Sequence, residues 1–123
     1  MRRDRLLIFL LAYAGASLSH HVHNAEFLDQ YPNMPAWLSP MGVYAAWTAA
    51  TAIGIAGYAL LRGGYRIAGL VLLIVYGFYG LDGLAHYALA PVSAHTPMMN
   101  LSIWVEAASA TALLFAVFQR RIE

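Results

Sequence analysis

The stretch 41–61 reads MGVYAAWTAATAIGIAGYALL and contains no charged residue. A bilayer core about 30 Å thick is crossed by an α-helix of about 20 apolar residues. Ser39 and Pro40 stand just before the stretch, where a capping hydroxyl and a first-turn proline start many helices. The stretch therefore predicts a helix that spans a membrane.

Three other stretches have a similar length and apolar character. Together with the first, they predict four spans at about 6–27, 41–61, 67–90 and 98–118. Of all residues, 61% are hydrophobic and only 11% are charged, whereas about 25% are charged in a soluble domain. We therefore expect an all-α integral membrane protein in which residues 1–123 form a single transmembrane domain.

The N-terminal segment begins with charged residues and continues into an apolar run, as a secretory signal does. The small residues Ala14, Gly15 and Ala16 resemble a cleavage site. However, the apolar run continues beyond them, so we expect this segment to be retained as the first span.

The arginines indicate the orientation. The chain has no lysine, and a four-span order places its arginines on one side of the membrane: Arg2, Arg3, Arg5, Arg62, Arg66, Arg120 and Arg121. Basic residues favour the cytoplasmic side, so we predict cytoplasmic termini and an up-down-up-down order of spans. The loops 28–40 and 91–97, which lack basic residues, are predicted to face outward. Such a chain is typical of the bacterial inner (plasma) membrane, where the outer side is periplasmic.

Small side chains recur along the second span, where Ala46, Ala50 and Gly54 repeat every four residues. Stripes of this kind allow helices to approach closely in lipid, where packing drives association. Glycines on the third span and alanines on the fourth show a similar enrichment. We therefore expect a compact, left-handed four-helix bundle.

All five histidines fall in the outer half of the predicted bundle, and two acids accompany them. From the helical rise of about 1.5 Å per residue, Asp82 and Glu106 each lie about 12 Å below the outer boundary. An isolated ionised acid at mid-membrane costs about 2.5 to 3.5 kcal/mol, and no arginine is predicted at that depth. The acids are therefore expected to meet a proton, a protonated histidine or a metal cation.

The spacing of these residues favours a metal site. Asp82 and His86 stand four apart, so an α-helix would present both on one face. His20 and His23 also share a helical face, whereas His21 projects about 100° away. The predicted ligands of a Zn, Cu or Fe ion are His20, His23, Asp82, His86 and Glu106, with His95 as a further candidate.

The same residues suggest a catalytic role. The metal would act as a Lewis acid or redox centre on a hydrophobic small molecule that enters from the outer leaflet. Glu106 would serve as a ligand or as the general base. Tyr79, three residues before Asp82, is predicted to hydrogen-bond a bound ligand or cofactor.

Other functions would use the same polar residues. The chain would be a non-enzymatic membrane subunit that carries metal, haem or pigment, or a proton-linked accessory protein of a larger complex. Either would act as a homo- or hetero-oligomer. In the plainest alternative, the polar cluster fixes helix packing through hydrogen bonds.

Missing motifs exclude several functions. Without cysteine, the chain has no disulfide, no thiolate metal site and no catalytic thiol. It also lacks a glycine-rich phosphate loop, a His-Glu-x-x-His motif and a Gly-x-Ser-x-Gly motif. The arginines form only short clusters, so the lipid bilayer is the expected partner and nucleic acid is not.

Overall fold

The computed structural model describes residues 2–122, with side chains from residue 5 to residue 120. Its α-helices are α1 (Arg2–Glu26), α2 (Pro40–Arg62), α3 (Arg66–Tyr79), α4 (His86–Leu89) and α5 (Pro97–Ile122). No strand occurs in this described part of the chain. The side chains of Arg2, Arg3 and Arg121, which the sequence assigns to the cytoplasmic side, lie outside the described residues.

The predicted all-α fold with four long apolar helices is confirmed. Four segments are long and apolar enough to cross a membrane, namely Arg5–Glu26, Pro40–Arg62, Arg66–Leu89 and Pro97–Arg120. The third segment includes both α3 and α4. The six boundaries from Glu26 to Pro97 lie one residue from the predicted ones, because the apolar length that a bilayer requires is visible in the sequence. Helix α1 begins and α5 ends four residues beyond the predicted limits.

The helix start predicted at Ser39 and Pro40 is present, and a second start of the same kind occurs at Thr96 and Pro97. Ser39 caps α2, since its hydroxyl oxygen accepts a hydrogen bond from the Gly42 N–H at 3.1 Å. Thr96 does the same for α5, with its hydroxyl oxygen 3.2 Å from the Met99 N–H. These caps satisfy backbone donors that a helix leaves free in its first turn, so the loops before α2 and α5 end at defined residues.

Helix α2 packs on α3, while α1 packs on α5, and contacts of α1 with α2 and of α3 with α5 close the bundle. The closest backbone approach joins α2 to α3 at Gly69. A Cβ added there would lie 2.6 Å from the backbone nitrogen of Leu61. Only glycine allows the two helices to meet at this distance.

The third span is not the continuous α-helix that the sequence predicts. Helix α3 ends at Tyr79, and a 3-10 turn covers Asp82–Ala85 before the single turn of α4. The Gly80 N–H donates to the carbonyl three residues earlier, at 3.2 Å, as in a 3-10 helix. The expected α-helical pair of Asp82 and His86 therefore does not form.

Tight packing at Gly80 accompanies this break. A Cβ added at Gly80 would lie 2.4 Å from the Ala110 Cβ on α5 and 2.5 Å from the Tyr13 ring on α1. At Gly80 the backbone of the third span therefore packs directly against α1 and α5. After Gly80 the chain forms the 3-10 turn Asp82–Ala85, within which Gly83 is buried in the interior of the bundle.

The loops 27–39 and 90–96 lie at the same end of the bundle, because Asn33 Nδ2 donates to the Leu89 carbonyl at 2.9 Å. At the opposite end, the Arg66 guanidinium donates to the backbone carbonyl of Arg120. We call the first of these the histidine end, since His20, His21, His23, His86 and His95 lie within its loops or in the adjoining helical turns.

Replacing Gly69 by alanine should lower the free energy of unfolding by about 1 to 3 kcal/mol, because the new methyl group meets the α2 backbone. Unfolding in detergent, followed by circular dichroism, measures the effect. Gly15→Ala is the matched control, since a Cβ at Gly15 meets nothing within 4 Å. Equal stability of the two variants would contradict the close approach of α2 and α3.

Candidate functional site

Glu106 lies at the centre of the polar cluster near the histidine end. It projects from α5 into the bundle, where its exposed fraction is 1%. Ser17 on α1 donates its hydroxyl to Glu106 Oε1 at 2.8 Å. The other carboxylate oxygen, Oε2, is buried and has no hydrogen-bond partner among the described residues. Oε1 is therefore held by a hydrogen bond, whereas Oε2 is free to bind a ligand.

His20 faces the free oxygen of Glu106. The Ser102 hydroxyl donates to the Met99 carbonyl at 2.9 Å, so its oxygen accepts from His20 Nδ1–H at 3.0 Å. An imidazole that carries its single proton on Nδ1 presents a lone pair at Nε2. That nitrogen lies 3.6 Å from Glu106 Oε2. Two acceptor atoms therefore face each other in the interior.

His21 lies in the same cluster, although the sequence suggests that it projects away. Its Nδ1–H donates to the Ser17 carbonyl at 2.8 Å. Its Nε2 accepts from the Tyr79 hydroxyl at 2.9 Å, and the two rings stack with centroids 5.7 Å apart. Both ring nitrogens are thus occupied, so His21 and Tyr79 support the site from the side. The hydroxyl group of Tyr79 is therefore engaged by His21.

A cavity of about 230 Å³ opens beside these groups. Its polar wall consists of His20, His21, Asn24, Tyr79, Asp82, Gly83, His86 and Glu106, and its apolar wall of Met34, Trp37, Leu38, Val43 and Ala46. The carboxylates predicted from the sequence therefore do reach one space. Asp82 is the more exposed of the two acids and lies at the cavity's edge.

Gly83 shapes the floor of this cavity. A Cβ added to Gly83 would lie 3.3 Å from Glu106 Oε2 and 3.5 Å from His20 Nε2. Any other residue at this position would place a side chain against the two facing acceptors. The absence of a side chain leaves room there for a small ligand.

His23 does not line the cavity, although the sequence predicts it as a ligand. Its Nδ1 accepts from the Tyr31 hydroxyl at 2.8 Å, and its ring lies against Phe27. Burial raises the pKa of Tyr31 to about 12, so this hydroxyl keeps its proton at neutral pH. His23 therefore anchors the loop 27–39, whose own contacts the sequence does not reveal.

His86 and His95 continue the row of imidazoles toward the loops. His86 lies edge-on to His20, with ring centroids 5.5 Å apart, and its Nε2 accepts from Asn24 Nδ2 at 3.0 Å. His95 Nδ1–H donates to the Pro91 carbonyl at 2.9 Å. The remaining nitrogen of each ring is buried without a partner in the described part of the structure.

Among the predicted site residues, the structure brings five to one cavity, namely His20, Tyr79, Asp82, His86 and Glu106. Ser17 was not predicted, but a signal exists: it stands three residues before His20 on the same helical face. Within the described residues, no three His, Asp or Glu side chains are grouped so as to enclose a metal ion unaided.

Comparison with known proteins gives no matching family model, no matching curated protein and no matching solved structure. The chemistry of the cavity is therefore the basis on which a function is inferred.

Replacing Ser17 by alanine should destabilise the fold by about 1 to 3 kcal/mol, because Glu106 Oε1 would lose its buried donor. Unfolding in detergent measures the change. Ser19→Ala is the control, since the Ser19 hydroxyl is exposed and donates only to the Gly15 carbonyl of its own helix. A loss of stability no greater than that of Ser19→Ala would show that the Ser17 bond does not hold the carboxyl group.

Proposed function

We propose that this chain is a four-span membrane protein that binds a transition-metal ion, Zn, Cu or Fe, in the cavity near the histidine end. The observation that carries the proposal is the pair of facing acceptors, His20 Nε2 and Glu106 Oε2, 3.6 Å apart. Buried lone pairs repel each other unless a positive charge lies between them. No arginine is among the residues that line the described cavity, so a bound cation is the natural counter-charge.

The separation of the two acceptors fits a metal ion better than a shared proton. A hydrogen bond between nitrogen and oxygen joins atoms about 2.7 to 3.2 Å apart. Two ligands placed tetrahedrally, each about 2.0 to 2.2 Å from a zinc ion, lie about 3.3 to 3.6 Å apart. The observed 3.6 Å falls at the end of that second range.

The surrounding residues supply space and charge for the ion. Gly83 leaves the position beside both acceptors open. Asp82, the preceding residue, adds a second carboxylate at the edge of the same cavity. His20 and Glu106 would supply one nitrogen and one oxygen ligand, and the two negative charges of Glu106 and Asp82 beside the cavity suit a divalent ion.

The apolar wall of the cavity favours a small hydrophobic substrate. Met34, Trp37 and Leu38 cover the polar groups from the loop 27–39. The volume of about 230 Å³ lies below the roughly 300 Å³ of pockets for drug-sized ligands, so it suits an ion with a small molecule better than a haem. A bound metal would supply Lewis-acid or redox chemistry. General-base catalysis by Glu106 stays a prediction.

A proton-linked accessory subunit is the second candidate function. It is favoured by the hydrogen bonds that Ser17 gives to Glu106 and Tyr79 gives to His21, which form a network without any metal. A proton on Glu106 would also separate the two facing acceptors. The metal content of the protein distinguishes the two functions.

We further propose that the spans cross a bacterial inner membrane in up-down-up-down order, with both termini cytoplasmic. The arginines at the end opposite the histidines support this orientation. The cavity would then open toward the periplasm, within the outer half of the bilayer.

Protein purified without a histidine tag, and reconstituted with zinc after chelation, should contain about one equivalent of metal in this cavity. His20→Ala and Glu106→Gln should each lower zinc affinity at least tenfold, because each removes one of the facing ligands. Gly83→Ala should act similarly by filling the open position with a methyl group. Elemental analysis and competition titration measure the loss.

His23→Ala is the matched control, because this imidazole is bonded to Tyr31 and lies outside the cavity. It should retain wild-type zinc affinity. The proposal is overturned if wild-type protein takes up no metal, or if His23→Ala loses as much as His20→Ala.

The absence of cysteine allows the orientation to be tested with single introduced thiols. Ser93→Cys, at an exposed position of the loop 90–96, should react with a membrane-impermeant maleimide in intact spheroplasts. Gln119→Cys, exposed near the other end, should react only after permeabilisation. The reverse pattern of labelling would show that the termini face outward.

A further inference from the structure

We propose that His86 and His95 form a second metal site, nearer the loops than Glu106, that takes a copper(I) ion. Both side chains are buried, with exposed fractions of 7% and 6%. Each has one ring nitrogen without a partner in the described structure, Nδ1 of His86 and Nε2 of His95. The ring centroids lie 6.1 Å apart, and the ring planes are inclined at 79° to each other.

His95 is held in the state that a metal ligand needs. Its Nδ1–H donates to the Pro91 carbonyl at 2.9 Å, which fixes the ring and leaves a lone pair on Nε2. Metal-binding histidines commonly donate their second nitrogen to a backbone carbonyl in this way. The ring of Tyr87 packs against His95, with centroids 5.2 Å apart, and limits its rotation.

Asn24 allows His86 to present its own free nitrogen. Asn24 Nδ2 lies 3.0 Å from His86 Nε2. Asn24 Oδ1 is buried without a partner among the described residues. Turning the amide by half a revolution lets Oδ1 accept from Nε2–H. His86 Nδ1 then carries the lone pair, and Asn24 becomes the positioning residue for the ligand.

The distance between the rings suits an ion that takes two ligands. An imidazole centroid lies about 3 Å from a metal bound at about 2.0 Å, so two rings are about 5 Å apart in a tetrahedral site and about 6 Å apart in a linear one. The observed 6.1 Å is at the linear end. Copper(I) accepts two nearly opposite ligands.

The donor set leads to the same choice. Zinc in structural sites takes four ligands, and no third His, Asp or Glu completes a cluster within the described chain. Imidazole nitrogen suits copper, and no carboxylate is needed to balance its single positive charge. This site therefore differs in chemistry from the mixed site at Glu106, and its existence does not depend on that site.

Anaerobic titration of untagged, metal-free protein with copper(I), in competition with a copper(I) chelator, tests the proposal. His95→Asn should bind one equivalent less than wild type, while its amide still donates to the Pro91 carbonyl and preserves the loop. His86→Asn should lose the same equivalent. X-ray absorption of the loaded wild-type protein should show two nitrogen ligands.

Glu106→Gln and His23→Ala serve as controls, and both should keep the equivalent that His95→Asn loses. The inference is overturned if His95→Asn binds as much copper(I) as wild type with equal affinity. It is also overturned if Glu106→Gln abolishes the same equivalent, because a single shared site would then account for all binding. Failure of the zinc proposal would not change this test. If the site at Glu106 binds no zinc, wild type should still bind one equivalent of copper(I) more than His95→Asn.

Discussion

The burial of Glu106 without a basic partner is the constraint on which the rest of the molecule depends. Placing an ionised acid in the middle of a membrane costs about 2.5 to 3.5 kcal/mol. A hydrogen bond to a charged group contributes about 1.5 to 3 kcal/mol. The hydrogen bond from Ser17 alone therefore barely offsets this cost. The other polar side chains near the carboxylate, His20 and His21, lie on α1 like Ser17. Helices α1 and α5 consequently pack with their polar faces together, and the cavity lies where those faces meet α2 and the third span.

The sequence predicts the long helices well because their limits are set by physical requirements visible in composition. An apolar run of about 20 residues and a hydroxyl before a proline are local properties. The break after Tyr79 is not local. It depends on the contact of Gly80 with Tyr13 and Ala110, and the chain reveals that contact only once α1, α5 and the third span are assembled. A glycine in an apolar run is equally compatible with a straight helix.

The sequence predicts how deep the cavity residues lie along their helices, but it does not predict how each helix is rotated about its axis. Counting residues places Glu106 level with Asp82, and both acids do line one cavity together with three of the histidines. Neighbouring helical positions differ by about 100°, so a modest rotation of α1 decides which histidines point inward. The bond from Tyr31 draws His23 to the loop, while Tyr79 holds His21 inside. Tyr79 is 58 residues from His21 in the chain, and even Tyr31, eight residues after His23, reaches it only through the fold of the loop.

The possible metal ligands change in kind along the row of histidines. His95 and His86 lie near the loops, and His20 connects them to the carboxylate of Glu106. A cation that enters a low-dielectric interior must exchange its hydration for protein ligands in steps, because losing it all at once is very costly. Neutral nitrogen ligands near the surface bind an ion of low charge, whereas the acids deeper in the bundle balance a higher one. The two proposed sites therefore suit ions of different charge, although they lie along one row of polar side chains.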